Sequence, residues 1–306
     1  MKSILRLLPV FALALSSISI TGCSGAQEPG AASVDELNLP GDLSDFLMAD
    51  FNGDSLMEIL ALCTDRLAPE PFRKGCLFYQ SNGTYSSDPD FVFDIPHDAV
   101  VFDTGDIDGD NRPEILYLSY DGLYAMKITD GKVEDPRLVL KRTTIFYLPT
   151  TESVSYWDFY RILPQSNRTF LLIPTFSSLS IYSVGTSGVE PVTDIPLQHR
   201  AAAQSPGIIE MRDRMALTYQ YSLPVIEFYD YNGDGVEDMF IIDNTHMSIF
   251  AGTFHGGFKR DPVDHSYEKL WSDAQGGDTE FNLQVEDLNR DGLADLIVSQ
   301  IRGGVK

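Results

Sequence analysis

The sequence is poor in basic residues and has no apolar run long enough to cross a membrane as a helix. Lys and Arg number 22 against 45 Asp and Glu, which gives a formal net charge of −23. Because this negative charge repels phosphate groups, nucleic acid and anionic lipid surfaces are poor partners. The apolar stretch from Leu7 to Ile20 contains Pro9 and serines. It is too short for an ordinary membrane span and suits the core of a signal peptide.

Motifs that carry catalysis are also missing. None of the five histidines lies beside a serine or cysteine motif of a hydrolase, and no Gly-x-Ser-x-Gly occurs. The many carboxylates include no pair whose spacing marks it as a glycosidase acid and base. The sequence therefore predicts no catalytic residue and no enzyme.

The first residues instead indicate export. Lys2 and Arg6 precede the apolar stretch, which ends in Ile20-Thr21-Gly22-Cys23. This ending resembles the bacterial lipobox, which implies that residues 1–22 are a lipoprotein signal peptide and that Cys23 is lipidated. By the same resemblance, Ser24 favours the outer membrane. The alternative is an ordinary secretory signal with an incidental cysteine. Residues 23–42 are rich in Gly, Ala, Ser and Pro, and they predict a flexible tether.

Two cysteines remain, Cys63 and Cys76. An even pair in an exported protein is a disulfide candidate, and the separation suits a bridge between neighbouring strands. The alternative is a pair of buried free thiols.

Beyond Leu43 the sequence has short apolar runs bounded by Gly, Asp, Asn and Pro, without a sustained helical period. Such runs predict an all-β domain with many short strands. They are Glu58–Leu62, Glu114–Ser119, Leu123–Ile128, Phe170–Ile173, Leu179–Ser183, Asp238–Ile242 and Asp295–Ser299.

Four acidic loops precede four of these runs, and we number them in chain order: the first loop (50–58), the second (106–114), the third (230–238) and the fourth (287–295). The separations of their starts are 56, 124 and 57 residues, so the wide gap holds one more unit. Its loop, Leu163 to Ser166, has lost every acid. Five units, starting near residues 45, 99, 154, 224 and 281, predict four-stranded blades of a β-propeller over residues 43–306, because a β-solenoid has shorter repeats.

The loops share a pattern of oxygen ligands. Their first, third, fifth and ninth positions are Asp50, Asn52, Asp54 and Glu58; Asp106, Asp108, Asp110 and Glu114; Asp230, Asn232, Asp234 and Asp238; and Asp287, Asn289, Asp291 and Asp295. The seventh position would offer a backbone carbonyl, from Leu56, Arg112, Val236 and Leu293. The sixth position needs positive φ, which suits Asn111 and Gly235 better than Ser55.

This pattern predicts up to four Ca²⁺ ions, because Ca²⁺ takes six to eight oxygen ligands. An EF-hand has its bidentate acid at position 12 and flanking helices, whereas here the acid is at nine and a strand follows. Zinc would require His or Cys, and Mg²⁺ prefers fewer protein ligands. Polar turns without metal are the remaining alternative. Crowded carboxylates in four copies would repel one another without a cation.

The loops resemble the FG-GAP/VCBS repeat family, whose pattern is Asp-x-Asp/Asn-x-Asp-Gly, two further residues, then Asp-Leu and an apolar strand. The resemblance implies an integrin-α-like β-propeller, with each Ca²⁺ loop between the first and second strands of a blade. It also implies that the unit without acids binds no metal.

We therefore expect a lipid-anchored envelope protein whose Ca²⁺ loops are structural and whose partner is a protein or a polysaccharide. One alternative is a propeller associated with a carbohydrate-active or other catalytic domain lost from or hidden in this chain. A purely structural spacer is another. Because the fifth unit stops after Gly303-Gly304, we also expect the chain to be partial.

Overall fold

The computed structural model consists of β-strands and has no helix in the part of the chain that it describes. It describes residues 4–7, 35–65, 67–81, 83–129, 131–146, 154–163, 168–185, 188–196, 202–204, 218–220, 225–242, 246–254, 257–266, 279–289 and 295–302. Within these ranges no helix is long and apolar enough to span a membrane. The all-β prediction is confirmed.

The chain divides into two compact units, Met1–Asp158 and Phe159–Lys306. The described strands of the first unit are β1 (Ile4–Leu7), β2 (Asp35–Asn38), β3 (Asp42–Ala49), β4 (Glu58–Asp65), β5 (Phe72–Phe78), β6 (Gln80–Ser81), β7 (Thr84–Tyr85), β8 (Phe91–Asp94), β9 (Val101–Gly105), β10 (Glu114–Leu118), β11 (Gly122–Met126), β12 (Ile128–Thr129), β13 (Lys132–Val133), β14 (Arg137–Lys141) and β15 (Ser155–Tyr156).

Most of these strands form two antiparallel sheets. Sheet A has the order β3-β4-β5-β8, and sheet B has the order β14-β11-β10-β9 with β15 added in parallel beside β9. In both sheets a small hairpin, β6-β7 or β12-β13, precedes the last strand. Each sheet is therefore a four-stranded meander, as the repeat predicts, with a hairpin that the sequence reading missed.

A shared core joins sheets A and B. Leu60 and Leu62 of β4 belong to the same buried cluster as Phe102, Ile115 and Tyr117 of β9 and β10. All five side chains are at most 2% exposed. Burying each of them contributes roughly 1.5–3 kcal/mol, so this cluster holds the two sheets in a fixed arrangement.

The opposite face of sheet A is covered by the segment around β2. Leu37 and Leu39 are buried there against Ile59, Ala61 and Phe78. This segment lies inside the predicted tether of residues 23–42, and β2 pairs with β1. Part of the predicted tether therefore packs on sheet A, because burying Leu37 and Leu39 removes apolar surface from water.

The second unit contains two more four-stranded antiparallel sheets and two strand pairs. Sheet C has the order β16-β17-β18-β19, sheet D has the order β22-β23-β24-β25, and β20-β21 and β26-β27 are pairs. The strands are β16 (Tyr160–Ile162), β17 (Thr169–Pro174), β18 (Ser178–Gly185), β19 (Gly188–Pro196), β20 (Ala202–Gln204), β21 (Thr218–Gln220), β22 (Val225–Tyr229), β23 (Asp238–Ile242), β24 (His246–Phe250), β25 (Val263–Ser266), β26 (Thr279–Glu286) and β27 (Asp295–Arg302).

All seven predicted apolar runs overlap strands. Sheet C corresponds to the unit that has lost its acids, and its first two strands are joined through residues 163–168. Most of that connection, residues 164–167, lies outside the described residues.

Candidate metal centre

Each acidic loop connects two neighbouring antiparallel strands. The residue before the loop pairs with its ninth residue, as in Ala49 with Glu58 and Gly105 with Glu114. Tyr229 pairs with Asp238 and Glu286 with Asp295 in the same way. Strands rather than helices therefore flank the loops, and the ninth residue begins a strand in all four, as predicted.

The first aspartate organises the loop backbone. Asp50 accepts hydrogen bonds from the amides of Gly53, Asp54 and Ser55, at 2.7, 3.0 and 2.8 Å. Asp106 and Asp230 accept bonds from the amides of the corresponding residues in the second and third loops. Three loops thus have one hydrogen-bonding scheme, in which a single carboxylate fixes a tight turn.

The third and fifth positions continue the scheme. In the third loop the Asn232 side chain accepts a bond from the Asp234 amide at 2.9 Å, and Asp234 accepts one from the Val236 amide at 2.9 Å. The first and second loops contain the same bonds. These bonds fix the amides of the seventh residues, which are Leu56, Arg112 and Val236. That the carbonyl oxygens of these residues bind the ion stays a prediction.

The sixth position has the predicted left-handed conformation. The φ angles are 69° at Ser55, 63° at Asn111 and 81° at Gly235. Ser55 adopts this conformation although a serine there is strained. The fourth position, a glycine in these three loops, is also left-handed.

The ninth-position acid is buried under the loop. Glu58, Glu114 and Asp238 are 0%, 1% and 1% exposed. One carboxylate oxygen of each accepts a hydrogen bond from the amide seven residues earlier, at 2.7 to 3.0 Å. Asp295 of the fourth loop accepts the equivalent bond from Leu288 at 3.0 Å.

Burial sets the ionisation of these acids. It raises the pKa of Glu58 from 4.5 to about 7, and that of Glu114 from 4.5 to about 7. It also raises the pKa of Asp238. The other loop carboxylates, such as Asp54 near Glu58, add to the effect. Burial thus disfavours the charged form of these acids, and a cation beside them would favour it.

The second loop brings three acids into a cluster suited to a metal ion. One oxygen each of Asp106, Asp108 and Glu114 lies within 4.8 Å of the others. Glu114 Oε1 is buried and has no hydrogen-bond partner. An orphaned carboxylate oxygen in an all-oxygen cluster fits a hard cation such as Ca²⁺.

A lysine that the sequence reading did not select reaches this cluster. Lys127 Nζ lies 2.7 Å from Asp108 Oδ2, 2.6 Å from Asp110 Oδ2 and 3.9 Å from Glu114 Oε1. Its hydrogen bonds lower the pKa of Asp108, and lower that of Asp110 to about 2. The only sequence signal is a basic residue at the end of the strand that pairs with β10.

The first and second loops lie on the same edge of the first unit. A Cβ built on Gly53 would lie 3.3 Å from the side chain of Arg112, so the two loops are in contact. Arg112 also pairs with Asp110 at 3.1 Å. The acidic loops of sheets A and B thus lie side by side.

The remaining predicted residues differ in how far the structure describes them. Asp287, Asn289 and Asp295 are described, whereas Asp291, Leu293 and Cys23 lie outside the described residues. Cys63 and Cys76 are buried free thiols on the adjacent strands β4 and β5. A hydrogen bond to Cys76 and burial raise the pKa of the Cys63 thiol. The pair is close, and the disulfide stays a prediction.

Comparisons with known proteins do not assign the chain to a family. No family model and no curated protein matches it. It is similar to the pore structure of the Photorhabdus luminescens Tc holotoxin, with a TM-score of 0.36, 14% identity, and coverage of 89% of this chain and 12% of that chain. It is also similar to a Bacteroides uniformis protein provisionally assigned as a 6-phosphogluconolactonase, with a TM-score of 0.36, 12% identity, and coverage of 87% and 92%. Likenesses this weak carry no argument about function.

Proposed function

We propose that the protein is a calcium-binding, lipid-anchored β-propeller of the FG-GAP/VCBS type that serves as a binding or scaffold module of the bacterial cell envelope. The observation that carries the metal part of this proposal is the ninth-position acid. It is buried in three loops and oriented by a backbone amide, and in the first and third loops burial raises its pKa with no ion pair to a lysine or arginine of the described residues. A bound Ca²⁺ would supply positive charge there.

Asp50, Asn52, Asp54 and Glu58 would hold the ion in the first loop, and the matching residues would do so in the other loops. Each loop joins the first two strands of its sheet. An ion there links both strands through one centre, so its role is structural. None of the loop residues is proposed as catalytic.

The propeller is supported by the repeated four-stranded meander. Sheets A, B, C and D share one strand order, apart from the added β15, and sheets A and B pack through a common core. The loops of these two neighbouring sheets lie together on one edge. A propeller is built from repeated four-stranded antiparallel sheets of this kind. An experimental structure with the sheets arranged around a central axis would test it.

Calcium binding is tested by thermal unfolding and by titration calorimetry of the purified full chain. We expect EDTA to lower the melting temperature and Ca²⁺ to restore it, because binding to the folded state alone stabilises it. Asp234→Asn keeps the side-chain oxygen that accepts a hydrogen bond from the Val236 amide, but it removes the negative charge. The variant should therefore lose one tight Ca²⁺ site. Asp261→Asn, at an exposed position, is the matched control. A melting temperature indifferent to EDTA would refute the metal sites.

The envelope location rests on the signal sequence and on Cys23. In a bacterial host, Cys23→Ser should move the protein from the membrane fraction to the soluble fraction and abolish incorporation of labelled fatty acid. Unchanged membrane association would contradict lipidation. The partner, a protein or a polysaccharide, is sought by crosslinking in intact cells and by polysaccharide binding. If neither experiment detects a partner, the result would favour the alternative that the protein is a purely structural spacer.

A further inference from the structure

The second loop differs from the first and third in containing a cation of its own chain. Lys127 follows β11 directly, and the pair Ile115–Met126 places it opposite Glu114 on the neighbouring strand. From there its ammonium group reaches Asp108, Asp110 and Glu114. The carboxylates that it contacts are the predicted ligands of the third, fifth and ninth positions.

The corresponding positions beside the first and third loops have no positive charge. In sheet A, Ile59 pairs with Phe78, which places Tyr79 opposite Glu58. In sheet D, Met239 pairs with Phe250, which places Ala251 opposite Asp238. Among the described residues, the ion pairs of lysine and arginine include none with the predicted ligand carboxylates of the first and third loops, which are Asp50, Asp54, Glu58, Asp230, Asp234 and Asp238.

The charge of the ligand sets differs in a matching way. The third position is an aspartate in the second loop, Asp108, and an asparagine in the other three. The second loop therefore carries one more carboxylate than the first loop, and Lys127 supplies one positive charge against it. An ammonium within 3 Å of two carboxylates takes up the space and the lone pairs that an ion would use.

We propose that Lys127 is the built-in counter-ion of the second loop, so that this loop is charge-compensated without metal and binds Ca²⁺ more weakly than the first and third loops. This inference rests on the proposed function for the other loops. For the second loop without metal, the inference depends only on the contacts of Lys127 with the carboxylates of this loop. Calcium can occupy the second loop only when Lys127 moves out.

The test compares Lys127→Met with Lys132→Met in the purified full chain. Lys132 is an exposed residue of β13 in the same unit, and its replacement removes the same charge without touching the loop. In EDTA at pH 8, Lys127→Met should lower the melting temperature more than Lys132→Met does, because it removes the ammonium group from Asp108 and Glu114 and leaves only Arg112, which pairs with Asp110. In a Ca²⁺ titration, it should gain one tight site, with affinity raised by at least about tenfold, since a charge within about 4 Å is removed.

Two further variants assign the effect. Adding Asp110→Asn to Lys127→Met should remove the gained site, as Asp234→Asn should do in the third loop, because Asp110 holds the same fifth position and accepts the same amide bond. This result would place the gained site in the second loop. Tyr79→Lys puts an amine opposite Glu58 and should weaken one tight site of the wild type. This variant also keeps the inference testable if Lys127→Met does not fold.

The outcomes separate the two proposals. Equal Ca²⁺ stoichiometry, equal affinities and equal melting temperatures for Lys127→Met and Lys132→Met would overturn the counter-ion role, even where the wild type binds Ca²⁺. If no variant binds Ca²⁺ but Lys127→Met still lowers the melting temperature in EDTA more than the control does, Lys127 is the counter-ion and the calcium function is refuted.

Discussion

Replacing Glu58 by glutamine should stabilise the metal-free protein at pH 8 and weaken its response to Ca²⁺. Glu58 is 0% exposed, and burial raises its pKa from 4.5 to about 7. The folded state therefore binds a proton at the Glu58 carboxyl group more tightly than the unfolded state does. The stability that this protonation contributes is fully present below pH 4.5. It is lost as the pH rises through about 7.

The size of the effect follows from that interval. At about 1.36 kcal/mol per pH unit, the interval from 4.5 to about 7 corresponds to about 3 kcal/mol. The glutamine side chain has no charge to bury, so at pH 8 in EDTA Glu58→Gln should exceed the wild type by up to about 3 kcal/mol. For a unit of this size that is on the order of 10 °C in melting temperature. At pH 4.5 the two proteins should be equal.

Calcium should reverse the order of the two proteins. The wild-type carboxylate gains a cation that compensates its charge, whereas the glutamine of the variant would bind the ion as a weaker, uncharged ligand. The assay is thermal unfolding in EDTA and in Ca²⁺ at pH 4.5, 6 and 8. Glu70→Gln, at an exposed position, is the control and should follow the wild type. The reasoning would fail if Glu58→Gln were less stable than the wild type in EDTA at pH 8, or if both gained equally from Ca²⁺.

Two backbone predictions test the geometry of the fold by denaturant unfolding. Ser55→Gly should stabilise the protein by about 0.5–1 kcal/mol, because glycine removes the strain at a φ of 69° and this gain exceeds its entropic cost. Ser86→Gly is the control, because φ at Ser86 is not positive, and it should not stabilise the protein. Equal changes in the free energy of unfolding for the two variants would contradict the strain at Ser55. Gly122→Ala should destabilise by about 1–3 kcal/mol, because its Cβ would overlap the Leu140 carbonyl oxygen. Gly185→Ala, with no atom within 4 Å, should be nearly neutral, and similar losses at both glycines would refute this packing.

The loop geometry was predictable because it is local. Alternating oxygen side chains bond to amides two to five residues away, so the spacing alone places them. The left-handed φ at Asn111 and Gly235 follows from residue type, and the ninth residue begins a strand because an apolar run follows it. Ser55 shows that the hydrogen bonds to Asp50 outweigh its own conformational preference.

The features that the sequence did not reveal depend on contacts between distant residues. Lys127 enters the second loop only because the β10–β11 register places it opposite Glu114. A shift of one residue would turn it to the other face. Leu37 and Leu39 stand in a polar, glycine-containing stretch, and their burial depends on an open face of sheet A. Neither relationship leaves a periodic signal.

The second loop has the same backbone as the other two described loops, although Lys127 contacts its carboxylates. Its fourth-position glycine has a φ of 79°, against 78° at Gly53 and 73° at Gly233. The bonds that the first aspartate accepts recur in all three loops and fix the turn. We therefore expect both Lys127 and a bound Ca²⁺ to act by adding positive charge to the carboxylates of this turn. Under this proposal, one repeat replaces an ion by a lysine without a change in its strands.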